Sequence, residues 1–239
     1  MTSNKYNNYY GDLSLISNEF YIGQSCRYKK YIYPIILSIG KPISEISILE
    51  IGSGPGYFAK FCSQIWITQF TWLDLDPDVV ADTWKMFPAY TFLCQNSSNF
   101  LKSHSWDRFD IVFLSHVFEH LESIEASDTI TGINLHLSNE GAWVNIMPNA
   151  ASLNSGFLRY HDYTHKILYT DNSMNQLIKN SLWDKFISVH SNIEPTYIKT
   201  YHRYLFPIIL QFRKLFLLMM GWYYPIYTNE MLSVIRKRP

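Results

Sequence analysis

Cysteine is scarce and scattered in this 239-residue chain: Cys26, Cys62 and Cys94 stand far apart, with no Cys-x-x-Cys pair. An odd, dispersed set excludes a disulfide framework and a thiolate metal site, and it fits a reducing cytoplasm. Charge is scarce as well. Charged residues make up 17% of the chain, with 20 basic against 20 acidic, so the net charge is zero. A neutral chain offers no electrostatic basis for nucleic acid as its main partner. No stretch reaches the roughly 18 uninterrupted apolar residues of a membrane span. The polar start Met1-Thr2-Ser3-Asn4-Lys5-Tyr6 has no apolar signal-peptide core, so the expectation is a cytoplasmic protein. Internal repeats and low-complexity tracts are also missing.

What the chain has is a large apolar fraction, 47%, rich in Tyr (18) and Phe (15). That is enough for one sizeable α/β core, and large aromatics mostly fill such cores. From Ser47 onward, short apolar runs alternate with longer mixed segments. The runs predict strands at Ser47–Ile51, Phe70–Asp74, Tyr90–Leu93, Phe109–Leu114, Ala142–Ile146, Phe186–Asn192 and Met231–Ile235. Helices are predicted between them, at Tyr57–Ile65, Pro77–Met86, Val117–Ser123 and Asn172–Asn180. Continuous apolar strands alternating with helices imply a doubly wound, mostly parallel sheet. Residues 1–46 read as an N-terminal helical cap, with a helix over Ser25–Ile39 interrupted by Pro34. Residues 47–239 form the main domain, with an apolar helical insertion over 201–227.

The first strand runs into Gly52-Ser53-Gly54-Pro55-Gly56 and then a helix. Glycines let a ligand approach the backbone, and the helix start adds free N–H groups. Any tight strand-to-helix turn can use glycine, but this context fits a nucleoside-type cofactor. Glu50, just before the turn, narrows the choice. A carboxylate there repels the pyrophosphate of a dinucleotide but suits a ligand carrying an ammonium group, such as S-adenosylmethionine. The second strand ends in Asp74, 18 residues after Gly56, where an acid is placed to accept from both ribose hydroxyls.

Leu49-Glu50-Ile51-Gly52-Ser53-Gly54-Pro55-Gly56, then Leu73-Asp74-Leu75-Asp76-Pro77, then Phe109 through Leu121 resemble three ordered motifs of the class I S-adenosylmethionine-dependent methyltransferases. The resemblance spans about Ser47 to Arg236 and implies a Rossmann-like sheet of seven strands, the last inserted antiparallel. It implies S-adenosylmethionine as cofactor, held by Glu50, Gly52, Ser53, Gly54, Gly56, Asp74, Leu75, Asn96, Ser115 and His116. Asn96 departs from the family pattern, which has Asp beside the adenine.

Methyl transfer to a hydroxyl benefits from a general base or a metal. Arg159-Tyr160-His161-Asp162-Tyr163-Thr164-His165 lies after the fifth strand, where the carboxyl ends of parallel strands form a ligand crevice. His165, Asp162 and His161 are the catalytic candidates; the competing role for Asp162 and His165 is to staple the loop. Pro148-Asn149 and Asp162-Tyr163-Thr164-His165 resemble a subset of these enzymes associated with bacterial polysaccharide biosynthesis. The implied acceptor is a sugar hydroxyl of a surface glycan or its precursor, with a small lipid-like or aromatic metabolite as the alternative. A non-catalytic binding protein of the same fold is disfavoured by the intact turn. His116-Val117-Phe118-Glu119-His120 has the pattern of one zinc protease class, but it opens just after a strand instead of lying within a helix. It also resembles the Glu-x-x-Glu-His that binds a divalent ion in some methyltransferases, with His116 replacing the first Glu. Glu119, His120 and His165 are the candidate metal ligands.

In the insertion, Leu205, Ile208, Ile209, Phe212, Phe216 and Met219 recur at helical spacing beside Arg203, Gln211, Arg213 and Lys214, ahead of Trp222, Tyr223 and Tyr224. Peripheral membrane contact, a substrate lid and a homo-oligomer surface are equally physical readings.

Overall fold

The computed structural model describes residues 18–102, 108–182, 185–194, 200–221 and 225–238. Seven strands form one sheet: β1 (Ser47–Ile51), β2 (Gln69–Asp74), β3 (Thr91–Cys94), β4 (Phe109–Ser115), β5 (Leu137–Pro148), β6 (Phe186–Ile193) and β7 (Glu230–Lys237). Their order is β3-β2-β1-β4-β5-β7-β6. β1 to β5 pair parallel, while β7 runs antiparallel between β5 and β6. The doubly wound sheet with an antiparallel last strand is as expected.

Alternation along the central strands builds two cores. Val112, Leu114, Leu49 and Trp143 face α5 (Ser97–Lys102), α6 (Ser123–His136) and α8 (Asp171–Leu182). Ile111, Phe113, Ile48 and Val144 face the other way, onto α1 (Asn18–Tyr31), α2 (Tyr33–Leu37) and α3 (Tyr57–Gln64). With both faces covered, the central strands must be apolar throughout, and β4 is buried at six consecutive positions. The remaining helices are α4 (Pro77–Met86), α7 (Ser155–Tyr160) and α9 (Thr200–Met219).

Several elements differ from the sequence expectation. The helix expected over Ser25–Ile39 is two helices, starting at Asn18 and broken at Ile32. Pro34 lies in the first turn of α2, where its missing N–H costs nothing. The helix expected at Val117–Ser123 is a single 3-10 turn over Phe118–His120, and the real helix, α6, begins where that prediction ended. Its buried face mixes Ala126, Thr129, Gly132 and His136 with two isoleucines, which blurs the apolar period. The short α5 and α7 carry no sequence periodicity to detect.

Gly132 is a packing requirement. A Cβ there would sit 2.5 Å from Leu101 Cβ, on the backbone-proximal part of that side chain. Gly132→Ala is expected to destabilise the fold by about 1–3 kcal/mol from overpacking, despite better helix propensity. Chemical denaturation checks this; an unchanged midpoint would refute it.

Helix α9 carries its apolar stripe on the surface, as membrane contact or an oligomer contact would require. Leu205, Ile208, Ile209, Phe212, Phe216 and Met219 all point outward, and the inward residues are Leu210 and Leu217, with Arg213 half-buried between them. Among the described residues, no helix is long and apolar enough to cross a membrane. The side chain of Arg203 and the whole of Trp222, Tyr223 and Tyr224 lie outside the described residues, as do residues 1–17 of the expected cap.

Candidate active site

The turn after β1 is held open by three glycines in the left-handed region: Gly52, Gly54 and Gly56, with φ of 73°, 49° and 80°. A Cβ on Gly52 would meet Val117 Cγ2 at 2.4 Å, and one on Gly56 would meet the Trp72 ring at 2.7 Å. Backbone conformation and space both demand glycine there. Beneath the turn, Glu50 is buried, and its Oε2 has no hydrogen-bond partner among the described residues. Burial, reinforced by the charge of Asp74, pushes its carboxyl well above the usual carboxylate range. An orphaned buried carboxylate oxygen is matched by a cationic donor, as the ammonium of S-adenosylmethionine would supply.

Asp74 ends β2 and faces the same turn. Its Oδ2 accepts from Ser53 N at 3.0 Å, Ser53 Oγ at 2.8 Å and Gly54 N at 3.3 Å, while Oδ1 accepts from Asp76 N. The carboxylate thus fixes the turn from below, beyond the ribose role expected of it. Leu75 follows, half exposed. Asn96 starts α5 and accepts from Ser98 N at 2.8 Å, which is a capping role. Ser115, half-buried, ends β4.

His116 is the pivot between this turn and the rest of the site. Its backbone sits at φ 55°, a strained conformation for a non-glycine residue. Its Nδ1 lies 3.1 Å from Glu119 Oε1 and its Nε2 2.7 Å from Glu230 Oε1. Burial in the cavity wall opposes the positive charge, but the two carboxylates outweigh it and raise His116 to about 10. Burial would likewise raise Glu230, yet His116 and Arg27 prevail and hold it at about 2. Arg27 Nη2 completes the chain, 2.9 Å from Glu230 Oε2.

The long connection after β5 is anchored through its backbone and Asn149. Asn149 is fully buried; its Nδ2 donates to the Ile226 and Thr228 carbonyls, and its Oδ1 accepts from Ala151 N. Lys166 N donates to the Glu119 carbonyl, tying the histidine loop to the turn after β4. Asp162 Oδ1 accepts from both the backbone N and the hydroxyl of Thr164, so the loop-stapling role is real. Its other oxygen lies 3.8 Å from His165 Nε2.

Hydrogen bonding fixes the two inner histidines. His165 Nδ1 donates to the Leu158 carbonyl at 2.6 Å, which puts the lone pair on Nε2. Thr164 spends its proton on Asp162, so His120 Nδ1 donates to Thr164 Oγ1 at 2.8 Å, and its lone pair is also on Nε2. One ligand atom each from Glu119, His120 and His165 lie within 4.8 Å of one another. Glu119 is fully buried, and its Oε2 has no hydrogen-bond partner among the described residues. Imidazoles oriented by their second nitrogen beside an orphaned carboxylate oxygen fit a divalent cation. His161 is exposed, with its ring stacked on Phe157 at 4.8 Å.

These groups share a cavity of about 450 Å³. Its wall includes His116, His120, His161, Asp162 and His165 from the predicted set, with Arg213, Asn229 and Glu230. Val117 lies against Gly52, and its chain neighbour His116 is in the cavity wall. Sequence reasoning brought out the histidine loop and the turn but missed Arg27, Glu230, Asn229 and Arg213 as site residues. No local motif marks them; α1 brings in Arg27, and the return of α9 and β7 brings in the others.

A glycine turn at the carboxyl end of β1, an acid at the end of β2 and a histidine-lined cavity beyond β4 and β5 lie where doubly wound sheets bind their ligands. A family profile described as a methyltransferase domain matches residues 26–185. The chain therefore belongs to the methyltransferase domain family and is an S-adenosylmethionine-dependent methyltransferase. No curated protein sequence matches it. Among solved structures, it is similar to a SAM-dependent methyltransferase from Archaeoglobus fulgidus, with TM-score 0.63 and 16% identity over 98% of this chain and 97% of that one. A methyltransferase from Clostridium acetobutylicum gives 0.61 and 9% identity over 97% and 95%. The plantazolicin methyltransferase BpumL, solved with S-adenosylhomocysteine (SAH), gives 0.60 and 14% identity over 98% and 93%.

Proposed function

We propose that this methyltransferase acts on a sugar hydroxyl of a bacterial surface glycan or its precursor. The observation that carries this reading is the tautomer of His165, whose Nε2 lone pair belongs to a side chain in the cavity wall. A hydroxyl is a poor nucleophile at neutral pH and needs such a proton acceptor. Asp162, 3.8 Å away, stabilises the imidazolium that forms. A volume of about 450 Å³ suits a sugar-sized group, and Asp162, Thr228 and Asn229 in a mixed wall offer partners for its hydroxyls. S-adenosylmethionine supplies the activated methyl group; Glu50, the glycine turn and Asp74 position it, and His116 shares the cavity wall with the loop histidines. His161, exposed at the cavity wall, is placed to touch the acceptor. A lipid-linked precursor would also engage the outward apolar stripe of α9.

The orphaned Glu119 Oε2 favours a second version of the same chemistry, in which Glu119, His120 and His165 hold a divalent ion. The ion would lower the pKa of the acceptor hydroxyl, and His165 would be a ligand instead of the base. One assay separates the two: transfer of labelled methyl from S-adenosylmethionine to nucleotide-sugar and lipid-linked sugar acceptors, with and without chelator. The metal version predicts that chelator abolishes transfer and a divalent ion restores it; the base version predicts transfer unchanged. Transfer to none of these acceptors, with transfer to a small aromatic or lipid-like metabolite, would replace the glycan reading.

A further inference from the structure

We propose that Arg213 is a subsite for an oxyanion, so that the acceptor is an acidic molecule carrying a phosphate or carboxylate group. This rests on the functional reading only in placing the methyl acceptor in the histidine-lined cavity.

Arg213 projects from the inward face of α9 into the cavity wall, between the buried Leu210 and Leu217. Its Nη2 donates to Ser152 Oγ at 2.7 Å and to Asn229 Oδ1 at 3.1 Å. Ser152 Oγ in turn donates to Asn229 Oδ1 at 2.8 Å and accepts from Asn154 N, so both partners are fixed before Arg213 arrives. Both are neutral. The guanidinium is therefore held in one orientation without losing any of its charge. Nε is buried and has no hydrogen-bond partner among the described residues.

Among the described residues, no carboxylate lies within ion-pair distance of Arg213. The two acids of the cavity wall are already engaged: Glu230 with His116 and Arg27, and Asp162 with Thr164 and His165. Burial works against the charge of Arg213, but a guanidinium stays protonated in proteins. A half-buried, pre-oriented cation that no carboxylate answers is costly unless a ligand supplies the anion, and a charge-assisted N–H bond to an oxyanion is stronger than one to a neutral acceptor. The site is separate from the cofactor turn. Its partners Ser152 and Asn229 follow β5 and precede β7, whereas Glu50 and Asp74 end β1 and β2.

The decisive measurement needs no turnover. The SAH-loaded protein, carrying isotope-labelled arginine, is titrated with inorganic phosphate or acetate against chloride at matched ionic strength. A saturable shift of the Arg213 Nε–H resonance with phosphate or acetate, absent with chloride, is expected. Arg213→Met should weaken that binding about tenfold or more while leaving SAH affinity unchanged. Arg213→Lys, which keeps the charge but loses the planar fork, should fall between. No saturable shift with either anion would overturn the proposal. So would loss of SAH affinity in a folded Arg213→Met protein, since Arg213 would then serve the cofactor. A second arm compares a sugar phosphate with the same sugar unphosphorylated as methyl acceptors. A lower KM for the phosphorylated form, abolished by Arg213→Met, is the supporting result; equal KM values overturn the acidic-acceptor assignment. Anion binding that persists while every sugar fails as acceptor would fault the glycan reading and leave the subsite standing.

Discussion

Glu50→Gln is expected to cost S-adenosylmethionine affinity about 10- to 150-fold, the equivalent of ~1.5–3 kcal/mol for a hydrogen bond to a charged group. The same substitution should stabilise the ligand-free protein. Glu50 is buried with an oxygen that nothing in the described structure satisfies, and its carboxyl is pushed well above the usual range. The folded chain therefore holds that proton more tightly than the unfolded chain does. Where the folded state binds more protons, stability falls as pH rises, here from the ordinary carboxylate range up to the raised value. Gln carries no charge and escapes the penalty. Two coupled results follow: Glu50→Gln melts higher than the parent without ligand, and added S-adenosylmethionine shifts its melting far less. In the parent, cofactor binding should release a proton, seen as a dependence of calorimetric heat on buffer ionisation. Undiminished affinity in Glu50→Gln, or no proton release, would show that the ammonium is held elsewhere.

His165→Asn is expected to reduce turnover by about 10²- to 10⁴-fold, the range for loss of a general base. Asn is preferred to Ala because its amide N–H can keep the bond that His165 Nδ1 makes to the Leu158 carbonyl. The loop then has reason to stay in place while the lone pair at Nε2 is gone. Cofactor affinity should not change, because His165 belongs to the loop after β5 and the cofactor turn to β1. A mutant with near-normal turnover would reduce His165 to a structural part of its loop. Asp162→Asn is the milder companion, weakening the imidazolium that forms while the carboxamide oxygen still accepts from Thr164.

The two halves of the site were unequally legible in the sequence. The cofactor half is local: strand, turn and helix lie within Ser47–Gln64, and the demand for positive φ leaves its mark as glycine. β1 and α4 match their predicted bounds because a continuous apolar run and a Pro at a helix start are strong signals. The acceptor half is assembled across the chain. Glu230 reaches His116 only because β7 runs back between β5 and β6, and Arg213 arrives on a helix whose outward face is the more apolar one. Apolar periodicity there located a surface stripe but could not show that Arg213, on the other side of the helix, enters the cavity wall. The histidine loop was found by composition, but the stapling by Asp162 and the tautomers depend on backbone partners that no spacing discloses.

The strand order also has a consequence for synthesis. β6 borders only β7, which follows it in the chain by some thirty-six residues from end to start. On the ribosome, β6 emerges with no neighbour to dock on and stays an unpaired edge until β7 slots in beside β5. A nascent chain stalled before residue 230 can complete the cofactor pocket yet lacks the second carboxylate on His116. The ion-pair chain on His116 is thus completed only when β7 pairs, and until then β6 is the strand left for a chaperone to shield.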